Sequence, residues 1–130
     1  MRSIEWLAGL LEGEGCFSSA ISGSSGLYRT PFISLVMTDY DVVEEASKVI
    51  FLVGGRSTKL SKRALPSGKI AHSLFMTGLP AAKVMWTILP HMGERRAWKI
   101  RSILKAWEPK KYKEAVVFKR EITEEYHGAK

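Results

Sequence analysis

The hydrophobic period of this chain switches from helical to strand-like and back, twice over, and nothing else in the sequence restricts the fold as tightly. Residues 3–13 carry Leu7, Leu10 and Leu11 as an apolar stripe, with Ser3 placed as an N-cap, Glu5 in the first turn, and Gly13 and Gly15 ending the helix. Residues 15–22 alternate instead: Phe17 and Ile21 fall on one side, and Ser18, Ala20 and Ser22 on the other. A Gly/Ser-rich loop from Ser22 to Arg29 leads into a second strand at 30–38, with Pro31 near its start, where a missing N–H is tolerated. Helical spacing returns at Val42, Ala46, Val49, Ile50 and Val53, opened by the Asp41/Glu44 capping pair and closed by Gly54-Gly55. Residues 56–62 and 70–77 read as a second hairpin around Pro66-Ser67-Gly68. Pro80 opens a third helix bearing Ala81, Val84, Met85, Ile88 and Leu89, and Pro90 stops it. Ala97, Ile100, Ile103, Leu104 and Trp107 mark the inner face of a fourth helix over 94–107, broken at Glu108-Pro109-Lys110-Lys111.

Two helix–strand–strand units in series, followed by two helices, predict an α+β fold with a four-stranded antiparallel sheet. The unit order repeats while the sequence does not. At 130 residues the chain reads as a single domain over 1–113, and 114–130 read either as a helix on the core or as a partly ordered tail. No apolar run approaches the roughly 20 residues that a membrane span needs. Glu5, Glu12 and Glu14 interrupt the first apolar stretch, so no signal peptide is expected there. The lone cysteine, Cys16, excludes an internal disulfide and a cysteine-based zinc site, and fits an intracellular protein that is not secreted.

Charge is distributed unevenly. Residues 1–55 hold 3 Lys/Arg against 7 Asp/Glu, whereas residues 56–113 hold 14 against 2. A middle section with an excess of twelve positive charges points to a polyanionic partner, nucleic acid foremost; the competing reading is a solvated surface that aids solubility.

The segment Trp6–Phe17, WLAGLLEGEGCF, resembles the LAGLIDADG signature of homing endonucleases. Leu7, Ala8, Gly9 and Leu10 match it directly, Leu11 stands for the isoleucine, Glu12 and Glu14 for the two aspartates, and Gly13 and Gly15 for the small residues. The resemblance covers about residues 4–107 and implies an αββαββα fold, the order that periodicity gives independently. It implies a site-specific double-strand DNA endonuclease that cuts a long, roughly palindromic target with Mg²⁺, Mn²⁺ substituting and Ca²⁺ supporting binding without cleavage. No organic cofactor and no membrane partner are implied. Because the motif occurs once, the resemblance further implies a homodimer that pairs two such helices across a two-fold axis, with Leu7, Ala8, Gly9, Glu12 and Gly13 at the interface.

The residues support this physically. Acidic groups at a helix C-terminus are unfavourable by a few tenths of a kcal/mol, yet Glu12 and Glu14 both sit there. A frayed, solvated helix end accounts for them, but so does a hard divalent cation, which needs carboxylate and carbonyl oxygens together; Glu14 and the carbonyl of Gly13 would supply both. Gly9 and Gly13 lie four apart on one face, where small residues let two backbones approach, and glycine inside a helix otherwise costs about 1 kcal/mol. Glu14 departs from the family's usual Asp by one methylene.

The resemblance also places a polar residue at the end of the second strand, here Asp39, which either orders a water or metal or simply caps the next helix. It places a basic residue five positions after the proline ending the third helix, here Arg95, followed by Arg96; an arginine there acts as a charge stabiliser rather than a proton donor. The sheet is the expected DNA-binding saddle, since an antiparallel ribbon fits the major groove. Its outward face is expected to carry Ser18, Ser22, Phe32, Ser34 and Val36, with Tyr28, Arg29 and Thr30 near the first hairpin tip. From the second hairpin it takes Ser57, Lys59 and Ser61, with Lys62, Arg63 and Lys69 in the turn. His72 is either structural or a base contact, and Arg96 joins the DNA-contacting set. Phe32 and Val36 on a wet face suit thymine methyl contacts, whereas Lys99, Arg101, Lys105, Lys110, Lys111 and Lys113 read as phosphate contacts or solvated charge. The alternative function is a non-cleaving nucleic-acid-binding protein of the same fold, an intron RNA maturase or a DNA-binding regulator. A structural protein that only dimerises through the first helix fits the basic middle section poorly.

Overall fold

The computed structural model describes residues 2–22 and 28–107. In chain order the elements are α1 (Ile4–Glu14), β1 (Gly15–Ser22), β2 (Tyr28–Met37), α2 (Tyr40–Gly54), β3 (Lys59–Ala64), β4 (Ile70–Thr77), α3 (Leu79–Ile88), a 3₁₀ turn (Leu89–His91) and α4 (Glu94–Lys105). The two helix–strand–strand units are therefore present. Their strands form one antiparallel sheet in the order β1-β2-β4-β3, so the second strand of each unit lies in the centre. Residues 114–130 and Lys110, Lys111 and Lys113 lie outside the described residues.

The helices cover one face of the sheet. Residues paired across strands share a face, and Phe17–Ile33, Ile33–Met76 and Leu35–Leu74 all turn toward the helices. They meet Leu7 and Leu11 of α1, Val43 and Ile50 of α2, Val84, Met85 and Ile88 of α3, and Ile100 and Leu104 of α4, all buried. Ser3 caps α1 as expected, its Oγ accepting the Trp6 N–H at 3.1 Å. Gly15 ends α1 by donating its N–H to the Leu11 carbonyl. A Cβ at Gly15 would lie 2.8 Å from that carbonyl oxygen, so close approach rather than backbone freedom requires glycine there.

Among the boundaries that differ from expectation, β2 begins at Tyr28 rather than at residue 30, α3 gives way to the 3₁₀ turn at Leu89, α4 ends at Lys105, and two more bear on the site. α2 begins at Tyr40, which makes Asp39 the residue at the cap and puts Asp41 inside the first turn; the Asp39 side chain makes no capping bond. β3 begins at Lys59 rather than at residue 56. Thr58 is buried and its hydroxyl meets Ser47 Oγ at 2.8 Å, which ties residues 56–58 to α2 and delays strand pairing until the chain leaves that helix.

Candidate active site and nucleic-acid interface

The end of α1 is held by the start of α4. Glu12 Oε1 accepts the Gly93 N–H at 2.9 Å, where the first donors of α4 lack intrahelical partners and a carboxylate is favourable. A Cβ on Gly93 would collide with that carboxylate oxygen. Arg96, in the first turn of α4, donates from Nη1 to the Gly15 carbonyl at 2.7 Å, brings Nε within 3.9 Å of Glu12 Oε2, and lies over the Phe17 ring at 5.9 Å. Glu12 is thereby tied to the start of α4 through Oε1, while its Oε2 and Arg96 Nε face each other without a hydrogen-bond partner among the described residues.

Glu14 is different. It is exposed in the last turn of α1, and among the described residues no side chain or backbone donor is recorded against it. The final carbonyls of a helix, Gly13's included, have no intrahelical donor. Leu35 pairs with Gly15, so the chain leaving β2 through Asp39 runs past the same end of the sheet; Asp39 is exposed. Among the described residues no cluster of three or more His, Cys, Asp or Glu is present.

The structure redistributes several expected roles. Arg95 is exposed and carries no recorded partner among the described residues, while Arg96, expected on DNA, has its guanidinium committed to Gly15 and Glu12. Arg96→Ala should therefore destabilise the fold by about 1–3 kcal/mol, because it removes a charged hydrogen bond and strands Glu12. Arg95→Ala should stay within about 0.5 kcal/mol of the parent. Denaturant unfolding of the two variants makes the comparison, and equal losses would remove the distinction. Leu7 and Ala8 are 0% and 1% exposed, so neither is available to a partner helix, and Glu12, half-buried, is engaged within the protomer through Oε1. Gly9 and Gly13 remain on the free face of α1, where an added Cβ meets nothing within 4 Å.

The outer face of the sheet follows from the register. Alternation puts Cys16, Ser18 and Ala20 of β1 on it, with Thr30, Phe32, Ser34 and Val36 of β2, Ala71, Ser73, Phe75 and Thr77 of β4, and Lys59, Ser61 and Arg63 of β3. Ser61 and Ser73 share a hydrogen bond of 2.6 Å, and the Phe32 and Phe75 rings lie 5.3 Å apart. Phe32, Ser34, Val36, Ser18, Lys59 and Ser61 thus occupy the expected face, and Arg63 joins them from near the end of β3 rather than from the turn. Lys62 does not: it pairs with His72 on the opposite, helix-side face, because β3 runs on to Ala64. His72 is half-buried there against the Tyr40 ring at 4.9 Å, so the register puts neither residue among those of the outer face. Tyr40 donates its hydroxyl to Glu44 at 3.0 Å, and that bond raises its pKa above the ordinary phenol value. Ser57 precedes β3 and lies near Ser47, Lys48 and Phe51 of α2, away from the outer face. Arg29 pairs with Ile21, off the outer face, and donates to the Ser19 carbonyl at 3.5 Å; Lys69 is exposed in the β3–β4 turn. The side chains of Ser22 and Tyr28 lie outside the described residues. Ser73 and Phe75 were not singled out from the sequence, although alternation with Leu74 and Met76 contains the signal.

This arrangement of helices on one face of a β1-β2-β4-β3 sheet, with the motif helix leading into β1, is the fold of the LAGLIDADG homing endonucleases. The crystal structure of the homing endonuclease I-TnaI superposes with a TM-score of 0.57 at 16% identity, covering 99% of this chain and 90% of that one. The homing endonuclease I-CvuI, solved with its DNA target in the presence of calcium, superposes with a TM-score of 0.53 at 15% identity, covering 92% of this chain and 78% of that one. I-CvuI has also been solved on the I-CreI target in the presence of magnesium with the DNA not cleaved. At these identities the likeness is one of fold. No family model matches the sequence, and no curated protein matches it.

Proposed function

We propose that this chain is a LAGLIDADG-type homing endonuclease that makes site-specific double-strand cuts in DNA as a homodimer using Mg²⁺. The observation that carries the reading is the end of α1. Its two acidic residues have separate fates, Glu12 bound into the fold and Glu14 left exposed next to the free Gly9–Gly13 face. One carboxylate per protomer is too few for a protein-only cation cage. Mg²⁺, however, is habitually held by one or two carboxylates together with substrate phosphates, and two α1 helices packed along their glycines would bring two Glu14 groups together. The chemistry that a bound ion would supply is a lowered pKa for a water and neutralised charge on the leaving oxygen. Glu14 and the Gly13 carbonyl would hold the ion, Asp39 would orient the water, and Arg95, exposed and without a recorded partner among the described residues, would offer its charge to the scissile phosphate. Arg96 positions Glu14 indirectly by fixing the carbonyl of Gly15. The outer face carries Lys59 and Arg63 along one edge and, among the described residues, no carboxylate, which suits a duplex lying across it.

EDTA should abolish cleavage of a plasmid bearing the target, and Mg²⁺ should restore it. Mn²⁺ should substitute, and Ca²⁺ should give a gel-shifted complex without product. Full cleavage in EDTA would contradict the metal role. A sequence-specific complex that is never cut in any divalent ion would instead assign the chain to the non-cleaving maturase or regulator.

Lys59 and Lys62 should behave differently because they sit on opposite faces of one strand. Lys59→Ala should relax base preference at one position of each half-site and cost about 1–3 kcal/mol against the preferred base. Lys62→Ala should leave the cleavage profile unchanged. Profiles that change equally in the two variants would mean that the outer face is not the reading face.

A further inference from the structure

We propose that the outer face recognises thymine methyl groups, through an apolar strip of Phe32 and Val36 on β2 and Phe75 on β4 that spans about four base pairs of each half-site. The inference deepens the DNA-binding reading and rests on it. An outward position on a half-covered antiparallel sheet is by default polar, as Ser18, Ser34, Ser61 and Ser73 are here. Val36 and Phe75 break that default on the two central strands, 52% and 40% exposed, and the Phe32 ring packs beside Phe75.

Charge selects the occupant. Lys59 and Arg63 border the strip on β3, and among the described residues neither has a recorded ion pair and no carboxylate lies on this face. A second copy stacked here would bring more cations and no compensating charge. The fitting partner is a polyanion that presents apolar groups between its charged rails, and in the major groove only thymine presents one, its C5-methyl.

Spacing sets the extent. Phe32 and Val36 are four residues apart, about 13 Å along a strand, and base pairs rise about 3.4 Å, which gives roughly four steps. Phe75 pairs with Ser34, midway between them, so the strip is continuous. The neighbouring Ser34 and Ser73 hydroxyls can donate or accept, which leaves methyl contact to discriminate at these positions.

The test uses the intact protein and its recovered target duplex in Ca²⁺, with deoxyuridine replacing thymine one position at a time; uracil keeps every hydrogen-bonding group and lacks only the methyl. Within one window of about four base pairs per half-site, each replacement should weaken binding about fourfold, the loss expected for one buried methyl-sized group. Phe75→Ser and Val36→Ser should each bind the thymine and uracil forms of at least one such position equally. The inference is overturned by a target without thymine in any such window, by uracil duplexes bound as tightly as thymine duplexes, or by variants that keep full discrimination. It is also overturned if Phe75→Ser changes the sedimentation of the free protein, which would make the strip an interface between copies. A protein that binds no duplex at all overturns the DNA-binding reading itself, and this inference with it.

Discussion

Glu14→Gln is expected to bind DNA and to dimerise like the parent while its cleavage rate falls about a thousandfold or more, the loss of several kcal/mol of metal-assisted stabilisation. The amide keeps the size and removes the charge. Because Glu14 is exposed with no recorded partner among the described residues, the substitution breaks no described contact. Removing a negative charge from a helix C-terminus should even raise stability by a few tenths of a kcal/mol. That combination, an unchanged or slightly higher melting temperature with cleavage gone, separates a functional carboxylate from a structural one. Glu12→Gln should do the reverse and lower stability, because its charge faces Arg96. A Glu14→Gln variant cutting at the parent rate in Mg²⁺ overturns the assignment.

Gly9→Leu is expected to abolish dimerisation and cleavage together without harming the protomer. A Cβ at this position meets no atom within 4 Å, and replacing a glycine inside a helix should add about 1 kcal/mol to protomer stability. The fold thus gives no reason for glycine at this exposed site, and a second backbone packed against it does. Sedimentation velocity at micromolar concentration, with and without DNA, should show a dimeric parent and a monomeric variant. A parent that is monomeric in both conditions, or a variant that still dimerises and cuts, contradicts the paired-helix arrangement.

Element order was legible in the sequence because most elements bury one face, and burial writes itself as apolar period. α1, α2, α3 and α4 each show it, and so do Phe17, Ile33 and Leu35. β3 does not: all six of its residues are exposed at the edge of the sheet, so no alternation marks its start, and Lys62 and Arg63 were expected in a turn that begins two residues later. The site was legible in part. Glu12 and Glu14 give the same local signal, two acids at a helix end, and only the partner of Glu12, 81 residues further on, tells them apart. Arg95 and Arg96 are equally ambiguous by spacing from Pro90. A single residue turns the side chain by about 100° on a helix, which sends Arg96 to the Gly15 carbonyl and leaves Arg95 in solvent. His72 faces the helices because Met37 and Lys62 are its cross-strand neighbours, a register that no local pattern specifies.

The most direct test is cleavage of a randomised plasmid library by the purified protein in Mg²⁺ and in EDTA, with the ends of linear products sequenced. The account predicts linear product only with Mg²⁺, its ends converging on one long, roughly palindromic site cut in both strands. Linear product equally abundant in EDTA, ends scattered without a shared sequence, or no product in Mg²⁺ or Mn²⁺ would contradict it.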